Sequence, residues 1–253
     1  MITEKRYDLI LQELNKKDFL SLQELINRIG CSASTIRRDL SKLQQMGKLQ
    51  RVHGGATIVH NRVLEPILSD KLATNLTEKK EIAQYAAALI QDREYIFLDA
   101  GSSTIEMIPF ITAKDIVVVT NGLTHVEKLL AKGIKTLMVG GEVKDTTLAT
   151  VGASALEIVR RYCFDKAFLG MNGIDLKHGL TTPDEKEALI KEMAMQRSNE
   201  SFVLVDHSKF KQVYFARIND DDADVTILTS KEALTEPSLA QFQERYHILG
   251  GLS

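Results

Sequence analysis

"STIRRDLSKLQQMGKLQRVHGGA" (residues 34–56) decides how the front of this chain is read. Ile36, Leu40 and Leu43 recur at helical spacing and make one apolar stripe. At about 100° per residue, Ser34, Arg38, Ser41 and Gln45 fall opposite that stripe, with Thr35 and Arg37 on its shoulders. Ser32 can cap this helix and Gly47 can close it. Leu49, Val52, Ile58 and Val59 then supply β-formers around the "HGGA" turn. A basic hairpin carrying Lys48, Arg51 and His53 is therefore expected next.

Upstream, Tyr7, Ile10, Leu11 and Leu14 mark one amphipathic helix, and Leu22, Leu25, Ile26 and Ile29 mark a second that Gly30 can end. Three short helices with a short second turn, followed by a hairpin, predict a winged helix-turn-helix over residues 1–58. Charge agrees. Residues 1–62 hold 11 Lys+Arg against 6 Asp+Glu (net +5), while the remainder holds 21 against 28 (net −7). A basic front on an acidic body suits double-stranded DNA as partner. The candidate DNA contacts are Ser32, Ser34, Thr35, Arg37, Arg38, Ser41, Arg51 and His53, since hydroxyls and guanidinium groups reach base edges and phosphates. Asp39 is expected to orient an arginine or the wing rather than to touch an anionic duplex. The competing reading is a three-helix protein-binding module with incidental arginines. "TIRRDL", the Gly47 turn and "HGGA" together resemble the signature of the DeoR family of bacterial transcriptional regulators.

The whole chain is 253 residues long, 44% hydrophobic and 26% charged, the composition of a globular protein with a sizeable core. Cys31 and Cys163 are the only cysteines and stand far apart, which suggests a reducing compartment. The charged start lacks a signal-peptide core, and no run approaches the roughly 20 apolar residues of a membrane span, so a cytoplasmic protein is expected. The six histidines show no metal-ligand spacing, and no metal or cofactor is expected.

Residues 59–76 read as a linker with a short helical part, and residues 77–253 as an effector domain. There, short apolar runs at 95–99, 116–120, 135–140, 166–170, 202–206 and 225–229 alternate with helical stretches such as 122–132, 152–161 and 184–197. That alternation predicts a mostly parallel sheet with helices on both faces, an α/β fold whose ligands bind beyond the strand carboxyl ends. "LDAGSST" (98–104) places Asp99, Gly101, Ser102, Ser103 and Thr104 at the start of the next helix, a phosphate-suited turn. A turn that merely caps a helix has the same look. "VTNG" (119–122), with Asn121, and "VGGE" (139–142) end two more strands. Thr182, Pro183 and Glu185 read as a capping box with proline at the first helical position. Asn172, Asp175 and Asp184 are candidates for sugar hydroxyls, and Asp206 and Lys209 for another part of the same site.

"EKKEIA", "LDAGSST", "FDKAFLGMNGID", "GLTTPDEKEALIK" and "VDHSK" extend the DeoR resemblance to the body. It implies a ribose-5-phosphate-isomerase-like effector fold and a phosphorylated sugar as inducer. Lys71 and Lys79 join the effector site by that family pattern, and Glu185 is a further candidate there by residue type. The run is most similar to FruR-type repressors of fructose operons, which implies fructose 1-phosphate. A homo-oligomer, dimer or tetramer, is expected because paired winged helices on repeated half-sites supply affinity one small domain lacks. The competing function is a sugar-phosphate isomerase fused to a DNA-binding domain. The isomerase run, however, is similar to "DGADE", and "MNGID" (171–175) stands in its place here.

Overall fold

The computed structural model describes residues 3–17, 19–46, 48–52, 54–58, 67–221 and 223–251. Two compact units divide the chain, Met1–Asn61 and Arg62–Ser253. Gly47, His53, Val59 and residues 60–66 lie outside the described residues.

The first unit runs α1 (Thr3–Lys16), β1 (Phe19–Ser21), α2 (Leu22–Ile29), α3 (Ala33–Gln45), β2 (Leu49–Val52) and β3 (Gly55–Ile58). Its core is the set of apolar stripes expected from the spacing: Ile10 and Leu14, Leu25 and Ile29, then Ile36, Leu40 and Leu43, closed by Leu49. Gly30 ends α2 in the left-handed region at φ 71°, its N–H bonded to Ile26 O at 2.9 Å. The wing has one strand more than the hairpin expected: β1 pairs antiparallel with β3, in the order β1-β3-β2. A Cβ at Gly55 would collide with Leu20 O, so this pairing requires glycine there.

The second unit begins with α4 (Leu68–Ala73) and α5 (Leu76–Ala88). The first described residues after the connecting stretch already pack on this unit, for Leu68 N–H bonds Thr146 O at 2.8 Å. Then come β4 (Tyr95–Leu98), a 3-10 helix (Ile105–Phe110), β5 (Val117–Thr120), α6 (Leu123–Ala131) and β6 (Lys135–Met138). They are followed by the hairpin β7 (Glu142–Lys144) and β8 (Ala149–Val151), then α7 (Ala153–Arg160) and β9 (Phe164–Gly170). After β10 (Gly173–Asp175) and β11 (Gly179–Thr182) come α8 (Glu185–Gln196) and β12 (Ser198–Leu204). A 3-10 turn (His207–Lys209), β13 (Ala216–Arg217), β14 (Val225–Thr229), α9 (Lys231–Leu234), α10 (Ala240–Gln243) and β15 (His247–Gly250) complete it.

The main sheet has seven strands in the order β15-β14-β12-β9-β4-β5-β6, each neighbouring pair parallel. Successive side chains alternate between its faces. Phe97, Leu169, Val203 and Ile227 bury against α7 and α8 on one face. Ile96, Leu98, Phe168, Phe202 and Leu228 bury against α5 and the 3-10 helix on the other. From β4 the chain moves to β5 and β6; from β9 it moves the opposite way. Strand order thus reverses between β4 and β9, and the crevice beyond their carboxyl ends is where such sheets take ligands.

Two local expectations are corrected. Helix α8 is capped by Asp184, whose side chain accepts the Glu187 N–H at 2.9 Å, not by Thr182. Thr182 is drawn into β11, where it pairs with Ala216, and Pro183 precedes the cap. The residues after "GSST" form a 3-10 helix containing Pro109 rather than an α-helix.

Candidate functional site

On the first unit, α3 presents the expected face. Ser32 caps it, its Oγ accepting the Thr35 N–H at 3.3 Å and lying 3.0 and 2.9 Å from the Ser34 and Thr35 hydroxyls. Ser34, Arg37 and Arg38 are exposed, as is Arg51 on the wing. Ser41 Oγ donates to Arg37 O at 2.9 Å and accepts from Arg51 Nη1 at 2.9 Å, while the Arg51 N–H bonds Gln44 Oε1 at 3.2 Å. The wing is thus held against the helix by Ser41 and Arg51, both read as DNA contacts, and by Gln44. Asp39 is buried and takes both arms of Arg6, at 2.5 and 3.0 Å. A helix of this kind, about 10–12 Å across, matches the roughly 12 Å major groove.

On the second unit, the reversal point opens into a cleft of about 520 Å³, solvent at its mouth included. Asp99, Ala100, Gly101, Ser102 and Ser103 line it from the end of β4, and Gly170, Met171 and Asn172 from the end of β9. Lys209 enters beyond β12, Leu68 and Lys71 from α4, Thr147 from the β7–β8 turn, and Glu187 and Lys191 from α8. Asp99 is buried, accepts the Gly170 N–H at 3.0 Å and pairs with Lys191. The two loops touch through glycine: a Cβ on Gly170 would lie 3.7 Å from the Cα of Gly101.

Several expected ligand residues stand behind the wall instead. Thr104 is fully buried, its hydroxyl 2.6 Å from Asp99 O, 3.0 Å from Gly101 O and 3.1 Å from His125 Nε2. Burial pushes the His125 pKa down to about 3, so the ring is neutral. Asn121 Oδ1 accepts the Ala100 N–H at 2.8 Å. These two residues shape the phosphate-suited turn and do not line it. Lys79 is buried, with its ammonium on Lys71 O, and burial lowers its pKa to about 8. Asp206 is buried and takes the Asn75 amide at 2.9 Å and both the N–H and hydroxyl of Ser208. Burial works to raise its pKa, but Lys209, Ser208, Asn75 and Lys79 outweigh it and the pKa falls. Lys209 Nζ lies 3.9 Å from Asp206 Oδ2 and faces the cleft.

Three acidic candidates are placed elsewhere. Asp175 closes the β10–β11 turn by accepting the Lys177 and His178 N–H groups, both at 2.9 Å. Asp184 caps α8 and pairs with Lys144 at 3.2 Å. Glu185 is exposed on the first turn of α8 and is not among the cleft residues. Residue type suggested all three, and local turn and cap geometry claims the first two. The residues missed were Glu187, Lys191 and Thr147. Glu187 and Lys191 stand four apart, one face of a helix, which is the signal that could have found them.

Residues 6–62 match the DeoR-like helix-turn-helix domain, and residues 74–231 match the DeoR C terminal sensor domain. The chain belongs to the DeoR family of transcriptional regulators. Among DeoR relatives, it is 44% identical to the uncharacterized HTH-type transcriptional regulator FruR of Bacillus subtilis (strain 168), over 93% of this chain and 94% of that one. It is 32% identical to a putative aga operon transcriptional repressor of Escherichia coli O157:H7, over 86% and 82% of the two chains. It is 31% identical to the transcriptional repressor GlcR of Bacillus subtilis (strain 168), over 89% of each. No helix among the described residues is long and apolar enough to cross a membrane, and no group of three or more His, Cys, Asp or Glu among them could hold a metal ion.

Proposed function

We propose that this DeoR-family chain represses a sugar-utilisation operon and that a phosphorylated sugar in the cleft releases it from its operator. The observation carrying this reading is the composition of the cleft at the strand-order reversal. Ser102 and Ser103 sit in a turn whose backbone N–H groups head a helical segment and so lack helical acceptors, and Lys71 and Lys209 bring two ammonium groups to the same cleft. Hydroxyls, amides and compact cations are what a phosphate monoester needs. Asn172 and the buried carboxylates supply acceptors for sugar hydroxyls. The FruR-type resemblance makes fructose 1-phosphate the first ligand to try.

On the other unit, Arg37, Arg38 and Arg51, with Ser32, Ser34, Thr35 and Ser41, are the proposed contacts to double-stranded operator DNA. A homo-oligomer would set two such units on repeated half-sites. The test is fluorescence anisotropy on a fragment from a sugar-operon promoter, with fructose 1-phosphate, tagatose 6-phosphate and inorganic phosphate added in turn. The expected result is salt-sensitive binding that one phosphorylated sugar reverses; binding indifferent to all of them would reject the reading. Arg37→Ala and Arg38→Ala are expected to weaken binding and to reduce the salt slope by about one each. The isomerase alternative is tested by incubating the chain with ribose 5-phosphate or fructose phosphates, where no interconversion is expected.

A further inference from the structure

Two sides of the sheet contribute to the cleft. The turn carrying Ser102 and Ser103 leads into the 3-10 helix that packs with α5 on one face. Helix α8, carrying Glu187, packs on the opposite face through Ala188, Ile190 and Ala194. One ligand filling the cleft would therefore meet the Ser102 and Ser103 turn, beside an Asp99 carboxylate already paired with Lys191, from one side and the Glu187 carboxylate from the other.

Glu187 is 6% exposed and lines the cleft. Its Oε1 takes the Thr147 hydroxyl at 2.7 Å and lies 3.2 Å from Lys144 Nζ, both donors coming from the β7–β8 hairpin. Helix capping explains neither the burial nor the orientation, since the cap uses Asp184 and only the backbone of Glu187. A buried carboxylate is costly to keep, and replacing it together with its partners by apolar residues is often neutral or stabilising. An anionic acceptor repels a phosphate, so it does not serve the anion-binding side. It suits hydroxyl donors, with which a charged acceptor makes stronger hydrogen bonds than a neutral one.

We propose that Glu187 is the specificity-determining residue of the effector site, accepting hydroxyl protons from the end of the sugar remote from its phosphate. This rests on the phosphorylated-sugar reading above and adds to it the group that tells a polyol phosphate from phosphate alone. The carboxylate is already fixed by Thr147, so its acceptor lone pairs are oriented before the ligand arrives.

The experiment is calorimetric titration of the full chain, and of Glu187→Gln and Thr147→Val variants, with fructose 1-phosphate, propyl phosphate and inorganic phosphate. Propyl phosphate offers the same anion without the hydroxyls. The wild-type chain should bind fructose 1-phosphate about ten- to hundredfold more tightly than propyl phosphate. Glu187→Gln should lose most of that preference while its affinity for propyl phosphate changes less than about twofold. A general packing defect would instead lower both affinities together, and that result overturns the proposal, as does an unchanged preference in Glu187→Gln. If Glu187→Gln does not fold, Thr147→Val decides: a preference reduced several-fold supports the role and an intact one overturns it. Wild-type protein that binds fructose 1-phosphate and propyl phosphate equally well overturns the specificity role alone. Wild-type protein that binds none of the three probes overturns the phosphorylated-sugar reading, and this inference with it.

Discussion

A threonine hydroxyl has one proton to give, and Thr104 has two carbonyl oxygens and one imidazole nitrogen within reach. Asp99 O, at 2.6 Å, is the nearest acceptor, so His125 Nε2 at 3.1 Å carries a proton and donates to Thr104. A neutral imidazole with its proton on Nε2 thereby braces the loop that lines the cleft. Burial holds the His125 pKa at about 3, against 6.5 when unfolded. The sign follows from proton counting: between those values the unfolded chain binds a proton that the folded chain refuses. Its contribution to stability is complete above pH 6.5 and is lost as pH falls towards 3. The His125 ring resonances should therefore not titrate between pH 8 and about pH 4.5, and in His125→Gln the acid slope of stability, followed by urea unfolding, should be shallower. Asp39 is the complementary case at this scale. Its place on α3 made an orienting role legible, but its partner Arg6 lies 33 residues away and only the folded packing brings the two together.

Elements were legible where the signal lay within the element. The stripes of α1, α2 and α3 are written in residues three and four apart, and the wing in its own turn, so the winged helix could be read directly. Six of the seven main strands contain the apolar runs read from the sequence, buried in β4, β5, β9, β12 and β14, as befits strands covered on both faces, and partly exposed in the edge strand β6. The seventh, β15, is "HILG" beside a glycine and is recognisable only through its pairing with β14. The same holds for β1, three residues whose strand character comes from β3 across the sheet. At the start of α8 the local signal pointed to Thr182, and the β11–β13 pairing overruled it. The cap itself is open to test. Asp184→Ala removes the side-chain acceptor for the Glu187 N–H and a partner of Lys144, and should cost about 1 kcal/mol. A melting temperature a few degrees lower, with operator affinity unchanged, is the expected outcome.

For the molecule as a whole, the cleft is where sequence distance ceased to be a guide. Lys71 and Lys209 are 138 positions apart and line one cavity, whereas Asp175, close in sequence to Asn172, is spent on a turn. Composition names the chemistry available to such a site; the sheet topology decides which residues meet. The division into two units also separates two binding free energies that must be coupled if a metabolite is to control transcription. An effector that weakens operator binding by a given factor has its own affinity weakened by operator to the same factor, about 5–150-fold for a coupling of 1–3 kcal/mol. Removing effector contacts leaves operator affinity in place and abolishes only the response. The double variant Lys71→Gln, Lys209→Gln should accordingly bind promoter DNA within about twofold of wild type and stay bound at fructose 1-phosphate concentrations that free the wild-type chain. Should the variant instead lose operator affinity in the absence of sugar, these lysines serve the fold or the duplex, since a group acting only through the effector cannot change a binding equilibrium from which the effector is missing.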